Sequence, residues 1–487
     1  MLEAYCWPQS ARPGQDVGLH VSSDAGAAGI EVARQGAGSQ VVWRADAVPV
    51  PHLPIPDDAA SNGCGWPAAI AIPVGPAWPS GTYLVTLASG DEREHAFFVV
   101  RPEPASSAPI LLVLSTATAN AYNDWGGPSL YTGGDRVSFE RPLARGFLDK
   151  PEPAARKAQA VPDREALGYF AYAEEHDLSP WSGGAGWWTW ERPFVDWAEG
   201  HGYAIDVAVS QDLEDHPEVL DGHRLFLSVG HDEYWSWGMR DAVERFVANG
   251  GNAAFFGGNT CWWQVRYEVA GRAMTCFKYR ADHDPVVGTV DERFLTGSWS
   301  DRRIGRPEFA MTGLSFSRGG YSRYGLGVPR PSGAYTVWRP DHWIFEGTGL
   351  RYGDAIGLAD AIVGYEVDGC ELAMVDGVPV PSHADGAPET LEALATAPAR
   401  LWTQDEQPSR YAHEPGELEH VAQALFGDEW EANLHRISNN HAVIGCMDVP
   451  SGGTVFNAGC TDWTYGIAGG DGDVQRVTRN VLDRLSG

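Results

Sequence analysis

The stretch Leu225-Phe226-Leu227-Ser228-Val229-Gly230-His231-Asp232-Glu233-Tyr234-Trp235-Ser236 constrains this chain more than any other. An apolar run of strand type ends at a glycine, and polar side chains follow it directly. A helical pattern then begins, with Met239, Ala242, Val243, Phe246 and Val247 recurring at i, i+3, i+4, i+7 and i+8. Asn249-Gly250-Gly251-Asn252 stops it as a C-terminal cap does. Residues 253–256 read as the next strand and Gly257-Gly258-Asn259-Thr260 as the next loop. The unit is β-loop-α-β, with polar residues gathered at the carboxyl end of a strand, where open α/β sheets place their ligand sites.

The same rhythm extends on both sides. Residues 110–114 are a continuous apolar run of the kind found in buried parallel strands. They deliver Tyr122, Asn123 and Trp125 in what reads as a polar loop. A helix is expected over 190–200, a strand over 203–209 and a short helix over 213–220. Further strands are expected at 341–347, 362–369 and 453–459, with a closing helix at 474–485. The alternation predicts a doubly wound α/β sheet over residues 110–487, interrupted by an irregular excursion at about 262–345. Residues 1–102 alternate in short strands punctuated by turns and predict an immunoglobulin-like β-sandwich. The proline-rich segment 103–109 reads as a semi-rigid linker.

Charge narrows the partners. Lys and Arg number 35 against 65 acids, a formal net charge of −30. That field repels nucleic acid and anionic lipid, so a small-molecule substrate is the expected partner, with a homo-oligomer left open. No apolar run approaches ~18 residues, so no transmembrane helix is expected. The seven cysteines form no CxxC pair, and with no visible signal peptide they fit reduced thiols in a cytoplasmic protein.

His231, Asp232, Glu233 and Tyr234 supply an imidazole, two carboxylates and a phenol on consecutive residues. His231 titrates near neutrality and is a candidate general acid/base or metal ligand. Asp232 or Glu233 can instead cap the helix that follows. Tyr234 can ligate a hard Lewis acid such as ferric iron. Cys261 offers a thiol that pairs conceivably with His231.

Four ordered blocks carry a resemblance: Tyr122-Asn123-Asp124-Trp125-Gly126-Gly127, Gly230-His231-Asp232-Glu233-Tyr234-Trp235-Ser236, Gly257-Gly258-Asn259-Thr260-Cys261-Trp262-Trp263 and Gly364-Tyr365-Glu366-Val367-Asp368-Gly369. Over roughly residues 108 to 485 the chain resembles the C-terminal domain of the large (β) subunit of N,N-dimethylformamidase. The resemblance implies a sheet like that of class I glutamine amidotransferases, of flavodoxin-like type. It also implies hydrolysis of a small amide by one iron held by two tyrosines and one glutamate. Tyr234 matches one tyrosine, and the second is left open. Asp284, with His283 beside it, is the expected carboxylate ligand, and Glu366 a base or ligand.

The reading that results is a metal-dependent amidohydrolase, with iron expected and zinc or no metal as alternatives. His231, Glu233 and Glu366 would move protons, and Asn123 and Asn259 would donate to a developing oxyanion. Tyr122, Trp125, Trp235 and Trp263 would wall the substrate pocket. A non-catalytic ligand- or glycan-binding protein, or a metal-free Cys261/His231 hydrolase, are the alternatives.

Overall fold

The computed structural model describes residues 1–104, 108–156, 168–324, 331–406, 416–450 and 452–487. The chain is a mixed α/β protein with several sheets, and among the described residues it forms eleven α-helices. A nine-stranded sheet lies at its centre. In spatial order its first five strands are Ile205–Val209, Ile110–Leu114, Leu225–His231, Asn252–Gly258 and Thr454–Asn457, all parallel to their neighbours. Asn440–Asp448, Glu392–Ala399, Tyr335–Val337 and Ala355–Ile356 continue the sheet in antiparallel pairing.

The apolar runs alternate between two faces because strand side chains have a period of two. Ile110, Leu112, Leu114, Leu225, Leu227 and Val229 pack into one core with Phe194 and Trp197 of the Glu191–Gly200 helix and Val477 and Val481 of the Gly472–Ser486 helix. Leu111, Val113 and Phe226 pack into another with Met239, Val243 and Val247 of the Trp237–Ala248 helix. Both faces of the sheet are therefore covered, which is why its parallel strands read as unbroken apolar runs.

In the N-terminal part, a three-stranded sheet (Leu2–Trp7, Asp16–Ser23, Ala68–Pro73) and a five-stranded sheet share one apolar core that includes Leu19, Val32, Val85 and Phe98. This part is docked on the rest. Phe97 and Val99 join the core around Ile110 and Val207. Arg34 pairs with Glu199 at 2.6 Å, and the indole N–H of Trp125 donates to Glu3 at 2.8 Å. The expected linker falls partly outside the described residues, at 105–107. Arg101, just before it, is buried and lies 3.6 Å from Asp212.

Several elements depart from expectation. Thr116–Tyr122 is a helix, and all seven of its residues are buried. Residues 341–347 hold a 3₁₀ turn, Trp343–Phe345, in place of a strand. The excursion contributes Trp263–Glu268 and Ala273–Thr275 to a small sheet with Arg136–Ser138 and Tyr234–Ser236. The antiparallel half of the large sheet was not foreseen. One of its strands, Glu392–Ala399, is rich in Ala and carries little of the β-branched signal that marks strands, and two others, Tyr335–Val337 and Ala355–Ile356, are too short to show a period.

Candidate functional site

The Leu225–His231 strand ends on Gly230, which takes φ +80° and lies against Trp190 so closely that a Cβ would collide with it. The turn throws His231 and Glu233 toward the carboxyl end of the sheet. The Trp237–Ala248 helix begins only after the short strand Tyr234–Ser236. Its cap is Ser236, whose hydroxyl accepts from the Met239 N–H at 3.2 Å. Asp232 and Glu233 therefore do not cap that helix. Asp232 accepts from the Ser228 hydroxyl at 2.8 Å, and the Glu233 N–H donates to Thr118 of the Thr116–Tyr122 helix at 2.9 Å.

The next parallel strand ends in Gly257-Gly258, and Asn259 follows at φ +50°, a left-handed conformation that asparagine tolerates. A carboxylate fixes this loop: the N–H groups of Asn259 and Thr260 donate to the two oxygens of Asp368 at 2.9 and 3.1 Å. Asp368 and Glu366 stand two apart on the Glu366–Gly369 strand and so share a face. Glu366 thereby meets His231.

His231 is 1% exposed and both ring nitrogens are engaged. Nδ1 donates to the Gly184 carbonyl at 2.6 Å, and Nε2 lies 2.7 Å from Glu366 and 3.4 Å from Glu233. The rings of Tyr122, Trp190 and Tyr365 meet it edge-on at 5.7 to 6.0 Å. The Asn259 side-chain N–H donates to Glu366 at 3.2 Å and its nitrogen lies 3.3 Å from His231 Nε2. Burial alone would push the imidazole down, but the Glu366 charge and hydrogen bond, with Glu233 behind them, hold its pKa up at about 9. Glu366 is opposed by burial too, yet His231 carries it below the usual carboxylate range. Histidine and glutamate are thus an ion pair at neutral pH.

Glu233 has a different environment. The Tyr131 hydroxyl lies 2.9 Å from both of its oxygens, and the Trp263 indole donates to one at 2.6 Å. Burial raises its pKa, with His231 and Lys278 opposing. The Tyr131 ring packs against Tyr122 at 4.2 Å and stacks on Trp181 at 5.3 Å. Tyr122, Tyr131, Glu233, Asn259, Trp263 and Glu366 all line one cavity.

Of the residues expected at a site, the structure therefore gathers His231, Glu233, Glu366, Asn259, Tyr122 and Trp263. The others lie elsewhere. Asn123 donates to the Pro142 carbonyl, and its oxygen accepts from the Trp125 and Ala144 N–H groups, so it organises a loop. Trp125 packs edge-on to Trp66 of the N-terminal part, and Trp235 is buried in the core beneath the sheet, its indole donating to the Asp232 carbonyl. Asp284 receives both Arg266 Nη atoms at 2.7 and 2.9 Å and the Thr296 hydroxyl at 2.6 Å, so its oxygens are taken, and His283 beside it is exposed. Neither lines the cavity. Tyr234 is wholly buried, its hydroxyl has no hydrogen-bond partner among the described residues, and it too is off the cavity wall. Cys261 lies in the other core, with Trp235 and Phe226, and burial pushes its thiol far above the ordinary range. All seven cysteines are buried free thiols. Among the described residues no group of three His, Cys, Asp or Glu side chains forms a metal set, and no helix is long and apolar enough to cross a membrane.

Sequence reasoning missed Tyr131 and Glu417. Tyr131 sits in Leu130-Tyr131-Thr132-Gly133-Gly134, which has no periodicity, and only its glycines mark it as a turn. Glu417 opens the Glu417–Phe426 helix and lines the opposite side of the cavity.

Comparison with known proteins bears on this arrangement. A family model described as N,N-dimethylformamidase beta subunit-like, C-terminal, matches residues 30–476. The chain belongs to this family. The match begins well before residue 108, so it takes in much of the N-terminal β part as well as the α/β part. Two N,N-dimethylformamidase beta subunits are similar over most of the chain. That of an Alcaligenes species is 24% identical over 472 residues, and that of Paracoccus aminophilus 22% identical over 464. Each alignment covers 87% of this chain and 55% of the relative, so the chain spans about half the length of these curated relatives.

Proposed function

We propose that this chain hydrolyses the C–N bond of an amide in a small or medium molecule, within the cavity at the carboxyl end of the central sheet. The observation that carries the reading is the convergence of the His231–Glu366 pair, Asn259, Glu233 and two phenols on one aromatic cavity. Glu366 is charged, faces the cavity and is the group able to take a proton from an attacking water. The hydroxide so formed adds to the amide carbonyl carbon. When the C–N bond breaks, Glu366 returns the proton to the departing nitrogen, leaving a carboxylic acid and an amine. His231, fixed by Gly184 on its far side, keeps Glu366 ionised until the proton of the attacking water reaches it. Asn259 orients the carboxylate, and the surrounding rings exclude bulk water, which strengthens these charges.

The cavity also fits the iron that the family resemblance implies. Two phenols and a carboxylate are hard oxygen donors. The Tyr131 hydroxyl lies 2.9 Å from both Glu233 oxygens, so two of these donor groups are already neighbours and would hold the ion together. We assign the ligands as Tyr122, Tyr131 and Glu233, in place of Tyr234, Asp284 and His283. When bound, the ion supplies Lewis acidity to the substrate carbonyl. Zinc, which favours nitrogen and sulfur donors, suits this set less well.

The strand order of the parallel half, second-first-third-fourth-fifth along the chain, supports a flavodoxin-like, amidotransferase-type frame. The two N-terminal sheets around one core support an immunoglobulin-like sandwich. The seven free thiols support a reducing, cytoplasmic setting. The relatives' description as beta subunits supports a companion subunit, or further copies, as partners.

The test is elemental analysis of the purified protein together with amine release from a panel of formamides and acylated amines. Wild type is expected to hold one iron and to turn over at least one amide, and Tyr131→Phe to lose both. Iron-loaded protein inert on every amide, or a Tyr131→Phe protein that keeps its iron and its rate, would sink the assignment.

A further inference from the structure

The cavity has a second wall that the hydrolytic steps do not use. Phe316, Tyr321, Tyr324 and Trp402 line it, together with Glu417, and Tyr365 joins it to the His231–Glu366 side. The rings are set against one another: Tyr321 stacks on Trp402 at 4.2 Å, Tyr324 stacks on Trp402 at 5.0 Å, and Tyr365 meets Tyr324 edge-on at 4.8 Å.

Glu417 stands at the start of a ten-residue helix, where the helix dipole favours a negative charge. The Tyr321 hydroxyl donates to its Oε1 at 2.8 Å, and the Tyr279 hydroxyl lies 3.4 Å from the same oxygen. Its Oε2 is buried and has no hydrogen-bond partner among the described residues. A carboxylate oxygen left unpaired away from water is costly, and natural sites keep one where a ligand satisfies it. The surrounding charge is short of cations. Glu233, Glu366 and Glu417 all face the cavity, and His231 and Lys278 are the cations that oppose them among the described residues. Burial pushes Glu417 up to about 8, the Tyr321 hydroxyl opposes this, Glu366 and Glu233 add to it, and Lys278 offsets part, so the group is largely protonated at neutral pH until a cation beside it favours its ionised form.

An aromatic wall with one buried carboxylate suits a particular ligand. Ring faces attract cations, and the open Oε2 can accept an N–H. We propose that this wall is an ammonium subsite, and that the amide cleaved beside it belongs to a molecule carrying a small alkylammonium group. The placing of the amide rests on the hydrolase reading above, whereas the ammonium preference rests on this wall alone.

Binding and turnover can be tested separately. Propylammonium and 1-propanol, similar in shape and differing in charge, are titrated into the full-length protein at neutral pH and binding is followed by calorimetry. Wild type should bind propylammonium roughly tenfold more tightly than the alcohol, a ratio consistent with a desolvated cation–ring contact. Glu417→Gln should bring the two affinities together, and Trp402→Leu should narrow the gap several-fold. Equal affinities in wild type, tighter binding of the alcohol, or a preference that survives Glu417→Gln would overturn the subsite. The wild-type comparison holds even where a variant does not fold. An ammonium preference in a protein that hydrolyses no amide would sink the hydrolase reading and leave the subsite standing.

Discussion

On the polar wall of the cavity, the ionisable groups are already engaged, although Asn259 Oδ1 beside them is buried with no hydrogen-bond partner among the described residues. His231 is held at both nitrogens, Glu366 by His231 and Asn259, and Glu233 by Tyr131 and Trp263. On the aromatic wall facing it, Glu417 Oε2 and Trp402 Nε1 are buried with no hydrogen-bond partner among the described residues. The difference separates two tasks. Groups that act on a substrate gain from being fixed in advance, since their reorganisation is then complete before the reaction. Groups that select a substrate gain from being left unsatisfied, since the correct ligand alone relieves them.

The comparison can be broken most sharply at Glu366. Glu366→Gln keeps the shape but removes the base, and kcat should fall by about 10²- to 10⁴-fold with KM little changed. A rate within a few-fold of wild type would show that the wall is engaged for structure alone. A smaller and graded effect is expected from pH. Raising it through about 9 removes the His231 proton and with it the charge that keeps Glu366 ionised. Lowering it below the usual carboxylate range protonates Glu366 itself. kcat/KM should hold a plateau between these limits, and a profile with its only fall near 6.5 would show an unpaired histidine. The smallest effect is expected at Tyr234. Its hydroxyl is buried with no hydrogen-bond partner among the described residues, and burial, which pushes its pKa far above the ordinary range, outweighs the Tyr131 hydroxyl, which opposes it. Tyr234→Phe should therefore leave iron content and rate near wild type, with stability changed by no more than about 1 kcal/mol. Loss of iron in that variant would return Tyr234 to the ligand set and displace Tyr122 or Tyr131.

The polar wall was largely legible in the sequence, and the aromatic wall was not. His231 ends and Asn259 follows a parallel strand of the central sheet, with Glu233 in the turn just after the first, and such carboxyl ends are where ligand-binding side chains converge; Glu366, which opens a strand of a separate two-stranded sheet, was marked by its glycine-flanked block instead. Tyr131 and Trp402 lie in segments without period, and Glu417 opens a helix whose pattern marks only its packed face. Asp284 misled for a related reason: an acid in the right region reads as a ligand until Arg266 is seen to hold it.

By itself, the sequence determined that a buried parallel sheet would present an imidazole and carboxylates at one edge, because hydrophobic period and glycine position are local properties of the chain. The tertiary structure decided which phenols face the cavity, which acids meet cations and which are left unpaired. Those outcomes depend on contacts between residues about 100 apart in sequence, such as Tyr131 with Glu233 or Glu417 with Tyr321, and local pattern carries no record of them.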